Sequence, residues 1–243
     1  MIRGVLFDFF GTLVEYSPSR RVQGYEKTYD LLKDRQIAMS YTSFLDHWVA
    51  ASEELDRWSA AQQWEYSMHD VAQCFLRRIH CDPADETFAH ALWHSYLQAW
   101  NTGVRYIPDM AAFIARLGVS YRLGIVTNTH HAPLIWQHLQ ALGIAQAFRT
   151  VVTSVEHGRP KPHGTIFAAA LCALGTPPAQ TLYIGDSYVV DYLGAKGAGM
   201  PALLIDPRRE SVVPAHERLS HVFDTEQWLA TQALPQLAQC IRC

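Results

Sequence analysis

The chain has 243 residues, 49% of them hydrophobic, and a net charge of -3, which suits one large α/β domain or a core with a modest insertion. With 20 basic and 23 acidic residues, it has no surplus of positive charge to hold a nucleic acid. The amino terminus has one basic residue before a short apolar run, and no stretch stays apolar for about 20 residues. We therefore expect a cytoplasmic protein with neither a nucleic-acid partner nor a membrane partner.

Five short runs rich in apolar and β-branched residues predict the strands of a sheet. They do not alternate with polar residues, which is typical of parallel strands covered on both faces. Helical stretches separate them and predict an α/β fold with a doubly wound, Rossmann-like parallel sheet. From Ser211 onward the sequence predicts a loop, a short strand and a closing helix. The five predicted strands are residues 4–9, 121–126, 148–153, 181–184 and 201–205.

More than one hundred residues separate the first two predicted strands, whereas a whole βαβ unit takes roughly 30 residues. Residues 16–101 are rich in Trp, Tyr, Gln, Ala and Leu, and apolar residues recur there at helical spacing, as in Tyr25, Tyr29 and Leu32. We therefore predict an α-helical cap domain at 16–101, inserted into a core made of residues 1–15 and 102–243. Its aromatic residues are expected to form the interior of the cap rather than a pocket.

Asp8 follows the first apolar run, at the point where the predicted strand ends. Gly11, three residues later, permits a sharp turn that leaves the strand end open. In an open α/β sheet the carboxyl ends of the strands face the ligand crevice, and a carboxylate there can attack phosphorus or carbon. Asp8 is thus a candidate nucleophile, although a strand-end aspartate can also simply cap a loop.

Three more polar clusters follow later predicted strands. The second strand leads into Thr127 and Asn128, the third into a loop that carries Lys161, and the fourth into Asp186, with Asp191 five residues beyond. Because the carboxyl ends of parallel strands meet at one edge of the sheet, all four clusters are expected to converge there.

In their order and spacing, these four clusters resemble the motifs of the haloacid dehalogenase-like superfamily, over residues 1 to about 206. The resemblance implies that Asp8 is the nucleophile and that Thr127 hydrogen-bonds the transferring group. It also implies that Lys161 neutralises charge on Asp8 and on a small-molecule substrate. The predicted substrate-binding residues are Gly11, Thr12 and Asn128.

The same resemblance implies a magnesium ion. Asp8, Asp186 and the backbone carbonyl of Phe10 would coordinate it, and Asp191 would either support the metal or orient Lys161. Carboxylate and carbonyl oxygens are the hard ligands that Mg²⁺ prefers. The alternative is that Asp186 is only a turn residue before a helix.

The chain departs from the family pattern at Phe10, where the phosphatases usually carry a second aspartate that protonates the leaving oxygen. Such acid–base help contributes about 10²–10⁴-fold, so leaving groups of low pKa, as in acyl or aryl phosphates, are predicted. His130 and His131 either replace the missing acid or simply begin the next helix. Phosphonatase-like members also lack the second aspartate but use a cap lysine, for which this chain offers Lys27 and Lys33.

An aromatic residue at position 10 is similar to the 2-haloacid dehalogenases, whose halide leaving group needs no proton. Those enzymes work without metal, however, and have a non-acidic residue where this chain has Asp186. They have an asparagine at the position of Tyr188 and a halide-binding arginine at the position of Met39. We therefore predict a Mg²⁺-dependent phosphatase of small phosphorylated metabolites, with a metal-independent dehalogenase second and a binding or regulatory protein third.

Overall fold

The computed structural model describes the backbone of residues 1–240 and the side chains of residues 1–232. The chain separates into two compact units, Met1–Glu15 with Tyr106–Cys243, and Tyr16–Arg105. We call them the core unit and the cap unit. The cap domain predicted from the sequence ends at residue 101, four residues before the cap unit does, and its role as a cap stays a prediction.

The cap unit is helical and has its own interior. Trp48 lies at its centre, with ring centroids 4.4 Å from Tyr96 and 5.2 Å from Phe75, and Tyr25 stacks on Tyr96 at 4.2 Å. These rings are buried, so the prediction that the aromatic residues of this segment form an interior is confirmed for them. The helices are α1 (Glu26–Asp34), α2 (Tyr41–Gln62), α3 (Met68–Arg78) and α4 (Glu86–Asn101).

The core unit contains a six-stranded parallel sheet with the order β5-β4-β1-β6-β7-β8. All five predicted strands are present, with ends shifted by at most two residues, and the predicted fold class is confirmed. The short strands β2 and β3 pair with each other in a second sheet. The strands are β1 (Gly4–Phe7), β2 (Val14–Glu15), β3 (Arg105–Tyr106), β4 (Arg122–Thr127), β5 (Phe148–Thr153), β6 (Thr181–Gly185), β7 (Ala202–Ile205) and β8 (Arg218–Leu219).

Helices cover both faces of the sheet. Alternate residues of a strand point to opposite faces, so neighbouring residues of β1 pack against different helices. Leu6 packs with Phe167 on one face, while Phe7 lies 6.4 Å from the ring of Phe113 on the other. Of the described helices, none is long and apolar enough to cross a membrane. The α-helices and the π-helix of the core unit are α5 (Met110–Ser120), α6 (Ala132–Ala141), α7 (Ser154–His157), α8 (Gly164–Leu174), a π-helix (Tyr188–Leu193), α9 (Gly194–Gly197) and α10 (Asp224–Cys240).

Candidate active site

Asp8 lies one residue beyond β1, at the carboxyl edge of the parallel sheet. Its backbone N–H donates to the carbonyl of Ile184 at 2.8 Å, which continues the pairing with β6. The chain then turns tightly, since the carbonyl of Phe9 accepts from the N–H groups of Leu13 and Val14. Strand pairing on one side and the closed turn on the other fix the backbone that carries the Asp8 carboxylate.

Two glycines make room for the acidic side chains of the site. A Cβ on Gly11 would lie 2.1 Å from Oδ2 of Asp186, and Gly11 also adopts a positive φ of +80°. A Cβ on Gly185 would lie 2.4 Å from Cγ of Asp191. Both carboxylates thus approach the backbone so closely that any side chain at either glycine would displace them.

Lys161 is buried and joins the polar clusters. Its ammonium group donates to Oδ1 of Asp8 at 2.7 Å and to Oδ1 of Asp191 at 2.6 Å. A third bond, of 2.9 Å, goes to the hydroxyl of Tyr183. Burial alone would lower the pKa of Lys161, but Asp191 and Asp8 outweigh this effect and hold the pKa above its ordinary value. The lysine is therefore a permanent cation in contact with the candidate nucleophile.

Tyr183 is a member of this cluster that the sequence analysis missed. Its hydroxyl lies 2.9 Å from Oδ1 of Asp191 and 3.1 Å from the carbonyl of Val126. Burial raises the pKa of Tyr183 well above the ordinary value, so that the phenol stays protonated. The available signal was one hydroxyl-bearing aromatic residue near the end of an otherwise aliphatic, buried strand, Leu182 to Ile184, since a buried hydroxyl needs a partner.

Asn128 ties the end of β4 to the loop of Lys161. Its Nδ2 donates to the carbonyl of Lys161 at 3.1 Å, and the N–H of Lys161 donates to its Oδ1 at 2.8 Å. Thr127 is buried at the end of β4, and Oγ1 of Thr12 is buried without a hydrogen-bond partner among the described residues. The side chain of Asn128 thus holds a loop, and contacts of Asn128, Gly11 and Thr12 with substrate remain predictions.

The acidic side chains are gathered closely enough to share a cation. Asp8, Asp186 and Asp191 each offer a carboxylate oxygen, and these atoms lie within 4.8 Å of one another. Burial raises the pKa of Asp8 to about 6, against the opposing effect of Lys161. Asp186 is exposed as a residue, but the protein around its carboxyl group removes part of its hydration, and this effect, followed by the charges of Asp8 and Asp191, raises its pKa to about 7. Carboxylates that repel one another in this way fit a hard divalent cation such as Mg²⁺.

The contacts of Asp191 set it apart from the other two acids. Its Oδ1 accepts from Lys161 and Tyr183, and its Oδ2 accepts from the N–H of Ser187 at 3.0 Å. Asp186 is exposed at the rim of the site. Of the two roles predicted for Asp191, the geometry favours orienting the lysine over coordinating the metal.

Phe10 turns an apolar ring toward other rings. Its centroid lies 5.1 Å from that of Phe9 and 6.2 Å from that of His138, both in edge-to-face contact. His131 is the residue that precedes α6, and His130 comes before it, both half-buried. The two histidines therefore lie just before the helix rather than in its first turn, which is close to the second of the two sequence interpretations, and a part in proton transfer stays a prediction.

Comparisons with known proteins place this chain in a family. A model of the haloacid dehalogenase-like hydrolases matches residues 2–199. Glyceraldehyde 3-phosphate phosphatase of Methanopyrus kandleri is 34% identical over 153 residues, which are 58% of this chain and 64% of that protein. Ribulose-1,5-bisphosphate 5-phosphatase of Halopiger xanaduensis is 26% identical over 216 residues, 87% of each chain.

A solved structure extends the comparison to the fold. The crystal structure of 2-haloacid dehalogenase from Pseudomonas syringae pv. Tomato DC3000 has a TM-score of 0.73, with 21% identity, over 96% of this chain and 100% of that one. At this identity the likeness shows a shared fold alone. With the matched family model and the converging polar clusters, it leads to one conclusion: the chain belongs to the haloacid dehalogenase-like hydrolases.

Proposed function

We propose that this hydrolase is a Mg²⁺-dependent phosphatase that uses Asp8 as its nucleophile. The observation that carries the proposal is the buried Asp8 carboxylate, held by Lys161 at 2.7 Å, with the carboxyl group of Asp186 beside it. The two relatives described above are named as a glyceraldehyde 3-phosphate phosphatase and a ribulose-1,5-bisphosphate 5-phosphatase. These names support a small phosphorylated metabolite as the substrate class.

The proposed reaction has two steps. First, a carboxylate oxygen of Asp8 attacks phosphorus, the bond to the leaving oxygen breaks, and the leaving group departs with the electron pair. Second, a water oxygen attacks the phosphorus of the aspartyl phosphate, the bond to Asp8 breaks, and the water proton passes to phosphate or solvent. Lys161 keeps Asp8 ionised and compensates its charge, while Thr127 would hydrogen-bond the phosphoryl oxygens.

Asp8, Asp186 and the carbonyl of Phe10 would hold the magnesium ion, and Asp191 would act through Lys161. When bound, the ion would offset the negative charges of the carboxylates and of the phosphoryl group. Burial is the main cause that raises the pKa values of Asp8 and Asp186, and the charges of neighbouring carboxylates add to it; a bound cation would offset both effects. We propose the ligand set on this charge balance and on the hard oxygen donors.

Phe10 sets the range of leaving groups in this proposal. Its ring has no proton to give, and acid–base help at this step contributes about 10²–10⁴-fold. Alkoxides leave poorly without a proton, whereas phenolates and carboxylates leave well. We infer a preference for aryl or acyl phosphates, or for esters whose leaving group is otherwise stabilised.

The release of nitrophenolate from p-nitrophenyl phosphate, with and without Mg²⁺, tests the proposed function. We expect turnover that requires the metal and that Asp8→Asn abolishes. The variant replaces one carboxylate oxygen by an amide nitrogen of equal size, so that the site keeps its shape but loses the nucleophile. Turnover that survives in Asp8→Asn would contradict the assigned nucleophile.

A 2-haloacid dehalogenase is the second candidate, and Phe10 is the observation that favours it, since a halide leaves without a proton. The exposed carboxyl group of Asp186 speaks against it, because an anionic haloacid would be repelled in a site without metal. Chloride release from 2-chloropropionate in the presence of EDTA tests this candidate. Metal-free release that Asp8→Asn abolishes would favour the dehalogenase over the phosphatase.

A further inference from the structure

The hydroxyl of Tyr183 lies where three other segments of the core unit meet. It contacts the carbonyl of Val126 in β4, the ammonium group of Lys161, and the carboxylate of Asp191, which follows β6 in the chain. The Tyr183 side chain is fully buried. A phenylalanine would fill the same apolar space, so the hydroxyl has to be explained by its partners.

The hydrogen-bond inventory of Lys161 shows what the hydroxyl contributes. An ammonium group has three N–H donors and no acceptor. Two of the donors are taken by Oδ1 of Asp8 and Oδ1 of Asp191, and the third by Tyr183. Without the phenol, one donor of a buried cation would lack its partner, which is costly for a charged group, and the ammonium group would no longer be held from three directions.

Tyr183 can hold this position because its own place does not depend on the lysine. Its single proton has two acceptors, the carbonyl of Val126 and Oδ1 of Asp191, and a lone pair remains for Lys161. Its ring packs edge-on against Phe167 of α8, with a centroid distance of 5.3 Å. The oxygen is therefore a fixed acceptor on a rigid strand.

We propose that Tyr183 is a positioning residue, whose hydroxyl is the third acceptor of Lys161 and thereby keeps the ammonium group directed at Asp8. It touches neither substrate nor phosphoryl group in this role and acts through the lysine alone. The inference rests on the proposed function of Asp8 as nucleophile. It adds that all three N–H donors of Lys161 bind acceptors within the protein. The positive charge of Lys161 therefore acts mainly on Asp8 rather than through a direct hydrogen bond to the substrate.

Tyr183→Phe tests the proposal, with Tyr192→Phe as the matched control. The control also removes a phenol that is hydrogen-bonded to a carboxylate of the same unit, but its partner is Glu217. For Tyr183→Phe we expect kcat on p-nitrophenyl phosphate to fall about 10–100-fold, the worth of one hydrogen bond to a charged group. The KM is expected to stay within about twofold, and Tyr192→Phe to keep wild-type kcat and KM. Equal kcat for Tyr183→Phe and wild type would overturn the proposal.

A double-mutant cycle measured by unfolding tests whether the Tyr183 hydroxyl acts through Lys161, and it requires no measurement of enzymatic activity. Tyr183→Phe, Lys161→Met and the double variant are compared with wild type by urea unfolding. If the hydroxyl acts through the lysine, the two changes are non-additive, with a coupling of roughly 2- to 100-fold in the unfolding equilibrium constant. Additive changes would overturn the proposal. The two proposals can fail separately. If the variants show this coupling but the wild-type protein hydrolyses no phosphate ester, the proposed function is contradicted, whereas the role of Tyr183 in positioning Lys161 stands.

Discussion

Phe10 occupies the position where the resembling phosphatases carry an acid, and its side chain cannot join the hydrogen bond that holds the Asp8 carboxylate. Lys161, Tyr183 and Asp191 form the network, and Phe10 contacts rings instead. At the scale of the residue, the proposed nucleophile is thus held by hydrogen bonds, whereas position 10 supplies no proton. This difference can be tested by restoring the acid.

We expect Phe10→Asp to raise kcat/KM for a simple alkyl phosphate by about 10²–10⁴-fold, because a carboxylic acid can protonate the departing alkoxide. Turnover of p-nitrophenyl phosphate should change far less, since its leaving group needs no proton. Phe10→Leu is the control, since it changes the side chain without supplying a proton. If the ratio of the two substrates is the same in Phe10→Asp and wild type, position 10 does not govern the leaving group.

Gly185 gives a second prediction at this scale. An added Cβ would meet Asp191 at 2.4 Å, so Gly185→Ala should push that carboxylate away from Lys161. We expect a loss of stability of about 1–3 kcal/mol, as for other overpacked sites, together with loss of turnover. Gly197→Ala is the control, because its Cβ would meet nothing within 4 Å. Thermal unfolding and turnover are measured for both, and a Gly185→Ala protein with wild-type turnover would refute the argument.

The loop that follows β7 shows how one side chain can organise an element. Asp206 accepts hydrogen bonds from the N–H groups of Glu210 and Ser211 and from the hydroxyl of Ser211, at 3.1, 3.0 and 2.6 Å. The bonds from Ser211 hold the pKa of Asp206 below its ordinary value. The ionised carboxylate is thus favoured in the folded state, which links the stability of the loop to pH.

The sign of this linkage gives a prediction. A lowered pKa stabilises the folded state above the unfolded-state pKa of about 3.9, and the contribution is lost as pH falls through the lower folded-state pKa. Asp206→Asn should therefore be less stable than wild type near neutral pH, and the difference should shrink below about pH 4. Urea unfolding over a pH series measures it. A difference that does not vary with pH would show that the charge of Asp206 is not responsible.

The elements differ in how far the sequence predicts them. The strands were predictable because a sheet covered on both faces leaves uninterrupted apolar runs, and the helical segment because its aromatic residues recur at helical spacing. The sequence also singles out three residues of the candidate site, because each follows an apolar run that predicts a strand: Asp8, Lys161 and Asp186. Tyr183 did not stand out, since two of its three partners, Val126 and Lys161, are distant in the chain. The meeting of the Tyr183 hydroxyl with the Lys161 ammonium group is set by tertiary packing, which a single sequence does not reveal.

At the scale of the whole molecule, the core unit contains every residue of the candidate site that this structure describes, and the cap unit has a separate interior. Binding of a cation at Asp8 and Asp186 would therefore stabilise the fold of the core unit directly. A ligand that binds only the folded state raises its stability by an amount set by concentration and affinity.

We expect Mg²⁺ at about 100 times its dissociation constant to stabilise the wild-type protein by roughly 2.7 kcal/mol. For a chain of this size that raises the thermal midpoint by about 5–10 °C. Asp186→Asn should lose the shift, while Asp206→Asn, which removes a carboxylate outside the acidic cluster, should keep it. Differential scanning calorimetry with and without Mg²⁺ makes the measurement. An equal shift in Asp186→Asn would place the metal elsewhere.

The clamp that Asn128 forms on the backbone of Lys161 has a consequence for how such a protein can diversify. Because two separate loops are joined by a pair of hydrogen bonds, we expect a change in the length of one loop to disturb the other, so that the two loops act as one block. Position 10 contributes no side-chain hydrogen bond to that block. Exchanging its side chain is thus a route by which a protein of this fold could come to accept different leaving groups while the proposed nucleophile stays unchanged.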